Sequence, residues 1–249
     1  MIKIEDVEVM GMRKAIKGMR NAMNSWEKRD SRLFFCHEII CALCPYESLD
    51  SIECDNKSHF IIGEKDMELC KNLIKAGSPD RKFMRMIHVQ ADVTAPLYWW
   101  KEFDTYKVGT VANSCSTMHT LHKRDLTLDD FSHENLISDS VDILKDLINT
   151  LNDCRDSYIN YDKDINLITK EITSKKHIWW QMIQLLPSSF NQMRTIDLNY
   201  ETLFSIYHQR KCHKLNEWVE FCKWIETLPY MKEFLGLDEQ VEKEKREMS

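Results

Sequence analysis

Residues 185–218 read LLPSSFNQMRTIDLNYETLFSIYHQRKCHKLNEW, and their local chemistry changes twice within this one stretch. Pro187-Ser188-Ser189 stops any helix arriving from upstream. Phe190–Leu198 then predicts a strand that ends at Asn199, a residue type favoured as a helix N-cap. Beyond it the apolar spacing becomes helical, with helices expected over about 200–211 and 214–228. Arg210 falls late in the first helix, so a ligand could meet both the Asn199 amide and the guanidinium. The same position lets Arg210 and Lys211 complement the negative end of the helix dipole. Local chemistry leaves both readings open.

Upstream, Ala95–Tyr106 predicts a short aromatic helix carrying Tyr98, Trp99, Trp100, Phe103 and Tyr106, with Pro96 in its first turn. Gly109 ends it, and a polar loop is expected to run to Met118. Before it, Phe83, Ile87, Val89, Ala91 and Val93 alternate with polar positions, which predicts a strand with one buried face. His88, Gln90 and Asp92 line its other face, at the border of any pocket there. Gly63–Gly77 predicts a helix that ends on a glycine C-cap before Pro79.

At the N-terminus Ile2, Ile4, Val7 and Val9 predict a strand with a phase slip near Asp6. Met12, Ala15, Ile16, Met19 and Met23 then fall at helical spacing. Arg13, Lys17, Arg20 and Asn24 share another face. That face is either solvated or, more sharply, a phosphate grip. In the second half, helices are expected from Ser138, with Val141, Leu144, Ile148, Leu151 and Ile159 on the apolar face, and over about 163–186.

The chain of 249 residues has 43% hydrophobic and 30% charged residues, ordinary values for a packed core. Its net charge of −6 argues against general nucleic-acid binding. No apolar run approaches the roughly 20 residues needed to cross a bilayer, and MIKIEDVEVMGMRK lacks the layout of a signal peptide. A cytoplasmic protein with reduced thiols is expected. Cys41-Ala-Leu-Cys44, with Cys36 and Cys54 nearby, offers a single Cys-x-x-Cys. Zinc sites commonly use two such pairs, so no metal site is expected. Cys115, between Ser114 and Ser116, is a candidate nucleophile without an obvious base, although His119 and His122 are near in sequence. Neither linker nor repeat divides the chain, which predicts one domain over 1–237 and a charged tail over 238–249.

The stretch 185–218 resembles the corresponding segment of flavin-dependent thymidylate synthases. Leu186-Pro187, Asn199, Arg210 and Asn216-Glu217-Trp218 appear in that family's order at closely similar spacing. The likeness covers roughly residues 64–230. It implies an α/β (α+β) fold, helix-rich, with a small mostly antiparallel sheet. It also implies a homotetramer with sites built across subunits, so that Trp99, Trp100 and Phe103 are expected at an interface as much as in a core.

The family signature Arg-His-Arg-x-x-Ser-x-Asn-Glu-x-Ser-x-Arg falls, without gaps, on Tyr106, Lys107, Val108, Val111, Asn113, Ser114, Ser116 and Met118. Asn113 and Ser116 match, and Lys107 keeps one positive charge. The remaining guanidinium positions are lost, and near Asn199 Glu201 replaces another arginine of the family. By resemblance, Arg210 is the catalytic candidate that holds the pyrimidine ring. Asn199, Lys107 and His88 are expected on FAD, and Asn113, Ser114, Ser116 and Arg20 on a pyrimidine nucleotide such as dUMP. NADPH and methylene-tetrahydrofolate are the implied reductant and one-carbon source. The chain also resembles proteins of Firmicutes and their phages that share the stretches at Gly18–Trp26, Ile62–Asp66 and Thr94–His119. The lost guanidinium groups keep a second reading open: an inactive nucleotide- or protein-binding module, phage-encoded, on the same scaffold.

Overall fold

The structure, a computed structural model, describes residues 2–35, 58–161 and 174–238. The cysteines at 36, 41, 44 and 54, the first part of the expected 163–186 helix and the tail from 239 lie outside the described residues. The fold is helix-rich α+β with a small antiparallel sheet. Its strands are β1 (Lys3–Met10), β4 (His88–Pro96), β6 (Asn191–Asn199) and β5 (Thr110–Ser114), in the order β1-β4-β6-β5. A separate ladder pairs β2 (Arg32–Phe35) antiparallel with β3 (Ser58–Ile61), Arg32 opposite Ile61.

By contact the chain forms two compact units. The first comprises Met1–Lys3, Val93–Thr105 and Asn113–Thr195; the second comprises Ile4–Asp92, Tyr106–Ala112 and Ile196–Ser249.

In the first unit the sequence period is well expressed. Helix α5 (Ser138–Ile159) buries Leu144, Ile148, Leu151 and Cys154, which recur at three- and four-residue steps. It packs on α6 (Lys175–Leu185) through Ile178 and Met182. Ile159, expected on the apolar face, is exposed at the helix end. Helix α3 (Leu97–Phe103) buries Trp99, Trp100 and Phe103 almost completely within the chain. These rings are core and not interface, a correction to the expectation above. Trp100 donates its indole N–H to the Gln192 carbonyl at 2.8 Å, and the Arg194 guanidinium stacks on its ring at 4.3 Å.

In the second unit Asp6 has φ of 49°, and the half-buried positions shift from Ile4 to Val7. This is the phase slip read in β1. Helix α1 (Met12–Gly18) buries Met12, Ala15 and Ile16 and then stops. Met23, expected in the same stripe, lies in a 3-10 turn and is 83% exposed. The expected strand at 83–93 begins only at His88, because Arg81–Met86 winds into a 3-10 helix that buries Phe83 and Met84.

Helix α2 (Glu64–Ala76) has no side-chain cap of its own. Asp30 caps it from a distant segment, accepting from the backbone N–H groups of Lys65 at 2.8 Å and Asp66 at 3.1 Å. Gly63 is small for this reason: a Cβ there would lie 2.3 Å from the Asp30 carboxyl carbon. Burial pushes the Asp30 pKa up, but these backbone donors outweigh it and hold the carboxyl below its ordinary value.

Candidate functional site

Helix α7 (Tyr200–Arg210) organises the candidate site of the second unit. Asn199 is its N-cap, as the sequence predicts, and its side-chain oxygen accepts from the Thr202 N–H at 2.9 Å. Arg210 is the last helical residue. Eleven residues at 100° per residue bring the two back to within about 20° of one another, roughly 16 Å apart along the axis. They therefore mark the two ends of one helix face.

The segment 106–109 lies along that face. At the N-terminal end Gly109 accepts from the Asn199 N–H at 3.3 Å, and Val108 accepts from the Thr202 hydroxyl at 3.0 Å. Gly109 has φ of 69°, and a Cβ there would sit 2.2 Å from the Asn199 amide nitrogen. Only glycine meets both demands. Gly109 does not end the aromatic helix, which stops at Phe103.

At the other end Tyr106 meets Arg210. The Arg210 Nε donates to the phenol oxygen at 2.8 Å, and the phenol donates to Gln209 Oε1 at 3.0 Å. The guanidinium carbon lies 4.8 Å from the ring centre of Trp218 and 5.7 Å from that of Tyr106. Trp218 is fully buried on helix α8 (Asn216–Thr227), edge-on to Tyr106 at 5.9 Å. Cation–π contacts of this kind contribute about 0.5–2 kcal/mol each, more as water is excluded.

A second polar group lies on the sheet. His88 on β4 and Gln90 each reach Asp197 on β6 at 2.8 Å, one to each carboxylate oxygen. Burial raises the Asp197 pKa, yet the hydrogen bonds from Gln90 and His88 outweigh it and the carboxyl sits below its ordinary value. Asp92 was read as part of this face. The alternation on β4 marked His88 and Gln90, but nothing in one strand's pattern names its partner across the ladder, so Asp197 was missed.

Sequence reading placed Glu201 at a lost arginine position. In the structure its carboxylate pairs with Arg81 at 2.9 Å and accepts from the Ser78 hydroxyl at 2.8 Å. Lys107 is exposed within the 106–109 segment. Arg20 is 5% exposed, and its Nε donates to the fully buried Asp66 at 2.6 Å. Asp66 also accepts from the Ser31 N–H at 3.0 Å and the Ser31 hydroxyl at 2.5 Å. Arg20 thus joins the helix α2 anchor. The expected basic face is broken because α1 ends at Gly18 before reaching it.

Asn113, Ser114 and Ser116 belong to the first unit. Asn113 and Ser114 are exposed on β5, and exposed Ser116 precedes the short helix α4 (Thr117–Thr120). The expected loop is in fact a strand from Thr110. An edge strand with little burial on either face shows no alternation for the sequence to reveal. Cys115 is exposed, with its N–H donating to Met193 O at 3.0 Å and its carbonyl accepting from Gln192 at 2.8 Å. It borders a cleft of about 270 Å³ that also takes in Thr117, Arg124, Asp130 and Gln192. The His122 ring lies tilted against Tyr158, ring centres 5.0 Å apart. The five described cysteines are free thiols, and no group of metal-binding side chains occurs among the described residues. No helix there is long and apolar enough to cross a membrane.

No family model matches this sequence, and no curated protein matches it. Solved structures do. Thymidylate Synthase X (ThyX) from Helicobacter pylori, determined with FAD and dUMP, superposes with a TM-score of 0.59 at 12% identity, over 94% of this chain and 97% of that one. A second structure of the flavin-dependent thymidylate synthase ThyX from Helicobacter pylori, complexed with FAD and dUMP, gives 0.56 at 13% identity over 93% and 97%. At this identity the likeness establishes the fold: the chain is built on a ThyX-like scaffold along nearly its whole length.

Proposed function

We propose that this protein binds a flavin and a pyrimidine nucleotide and carries out a one-carbon or hydride transfer to a dUMP-like substrate. The observation that supports it is the α7 face, where Asn199 and Arg210 flank the 106–109 segment. It stands on a scaffold whose solved relatives hold FAD and dUMP. The residues fit a flavin in kind: Asn199 commits its oxygen to the helix and turns its amide nitrogen toward Gly109, and Lys107 supplies an exposed cation.

In this reading Asn199, Lys107 and His88 contact FAD. Arg210 polarises the pyrimidine; Asn113, Ser114 and Ser116, on the first unit, are the nucleotide-binding candidates that the resemblance implies. Bound flavin would supply the hydride, with methylene-tetrahydrofolate and NADPH as one-carbon source and reductant. The chain's own part is to align the rings and place positive charge where the pyrimidine gains electron density. Arg20, consumed by Asp66, is left out of this site. The reading includes a homotetramer, which native mass spectrometry tests directly.

One observation favours the second reading, a module that binds without catalysis. Tyr106, Val108, Met118 and Glu201 occupy positions where the resembled family carries arginine, and Glu201 already neutralises Arg81. Colour separates the two. A purified protein that is yellow, or becomes so with FAD, and turns over dUMP supports the enzyme. Colourless protein that ignores added FAD overturns the enzyme and supports the module.

A further inference from the structure

We infer that Asp197 is the positioning residue for His88: it holds the imidazole proton on Nδ1 and so presents Nε2 as a hydrogen-bond acceptor to a donor on the bound cofactor. The inference deepens the reading above, in which His88 contacts FAD, and rests on it. Spacing in the sequence does not pair the two residues. The sheet does: β4 and β6 are neighbours, and the Tyr200 N–H donates to the Ile87 carbonyl at 2.9 Å, where β4 begins and β6 ends.

The proton positions follow from the partners. Asp197 Oδ2 accepts from the Gln90 amide at 2.8 Å, and Oδ1 lies 2.8 Å from His88 Nδ1. Burial pushes the carboxyl pKa up, yet the bonds from Gln90 and His88 hold it below its ordinary value. Near neutral pH the group is therefore ionised and only accepts. A neutral imidazole carries its one N–H on either nitrogen. With the proton on Nε2, the Nδ1 lone pair would face a carboxylate oxygen. With the proton on Nδ1, the contact is a charge-assisted hydrogen bond. Asp197 selects the second form, and Gln90 holds the carboxylate in place through its other oxygen.

That leaves Nε2. It has no hydrogen-bond partner among the described residues, and the His88 side chain is 42% exposed. Asp197 and Asn199 are two residues apart on β6 and share a face by the strand period. His88 thus stands on the side of the amide assigned to the flavin. In the neutral ring Nε2 accepts, so the phosphate and carbonyl oxygens of FAD are no match for it. The donors of FAD fall in two halves: the ring N–H and ribityl hydroxyls of the flavin, and the amino group and ribose hydroxyls of the adenosine.

The test uses the full-length protein and two readouts. The first is the nitrogen NMR shifts of the His88 imidazole in the ligand-free protein, recorded in mildly alkaline buffer so that the neutral ring is observed. Wild type should carry the proton on Nδ1. Asp197→Leu, which removes both acceptor oxygens, should move it to Nε2, and Asp197→Asn, which keeps one, should return it to Nδ1. The second readout is affinity. Asp197→Leu and His88→Phe should each weaken FAD about 10-fold, and the pair no more than either alone. An equal loss with FMN places the donor on the flavin half, and a loss confined to FAD places it on the adenosine half. Circular dichroism checks folding, and His88→Phe carries the affinity test if Asp197→Leu does not fold. A wild-type ring protonated on Nε2, losses that multiply in the pair, or FAD affinity within about twofold of wild type in the variants overturns the positioning role while the proposed function stands. Wild-type protein that binds no FAD overturns the proposed function and the cofactor contact with it.

Discussion

Two arginines in the second unit make contacts of unlike chemistry. Arg20 is buried against Asp66, a carboxylate with no exposure that also takes both donors of Ser31. Arg210 is oriented by a phenol oxygen and an indole face. A buried carboxylate partner satisfies a guanidinium and ends its availability. Aromatic partners add direction to a guanidinium through a ring face and a phenol oxygen. The difference teaches that the positive charges of this chain divide by the chemistry of their neighbours, which a list of Lys and Arg positions does not carry.

Breaking the first pair should have the largest effect. Asp66→Ala leaves the Arg20 charge buried and costs about 3–5 kcal/mol of stability, measured by urea denaturation. Asp66→Asn, which keeps the acceptor oxygen, should fall between it and wild type. Tyr106→Phe should cost about 1–2 kcal/mol by the same measurement, since it removes two hydrogen bonds from a half-buried group. Comparable losses in Asp66→Ala and Tyr106→Phe would erase the contrast between an anchor and a site.

Gly109→Ala comes next. It meets both the left-handed backbone and the 2.2 Å approach to Asn199, so about 2 kcal/mol of destabilisation is expected. FAD affinity should fall more than dUMP affinity. An alanine variant that binds FAD as wild type does would show that the close fit at Asn199 has no bearing on the flavin. Asp30→Ala removes the long-range cap of α2 and should cost about 1 kcal/mol, seen as a lower denaturation midpoint with unchanged ligand affinities.

The sequence made most of this architecture legible where one period dominates. Helix α5, the Asn199 cap and α7 were all readable, because burial on a single face repeats every three or four residues. It concealed the parts that depend on distant partners. Asp30 caps a helix that starts more than thirty residues later in the chain, the burial of Arg20 depends on Asp66 from another element, and that of Trp99 and Trp100 on the rest of their own chain. Tyr106 belongs with these. Alone it is an aromatic residue after a helix, and only the arrival of Arg210 and Trp218 makes it part of a clamp.

The smallest expected effect concerns Asp197 and extends the comparison to a carboxylate held by two unlike partners. Its ordinary pKa of 3.8 is lowered in the folded chain: burial pushes it up, while the bonds from Gln90 and His88 overcome that push. A carboxyl with a depressed folded pKa binds fewer protons folded than unfolded. Its stabilising contribution is therefore fully present well above 3.8 and is lost as pH falls through the lower folded value. Asp197→Asn should remove that dependence, so the stability curves of variant and wild type converge in acid and separate as the carboxylate ionises. The side chain is 29% exposed, and solvent screening keeps the separation small. Curves that stay parallel across the acid range would mean that the pairing with His88 and Gln90 gives the folded state no preference for the ionised form, leaving Asp197 a hydrogen-bond acceptor whose charge is incidental.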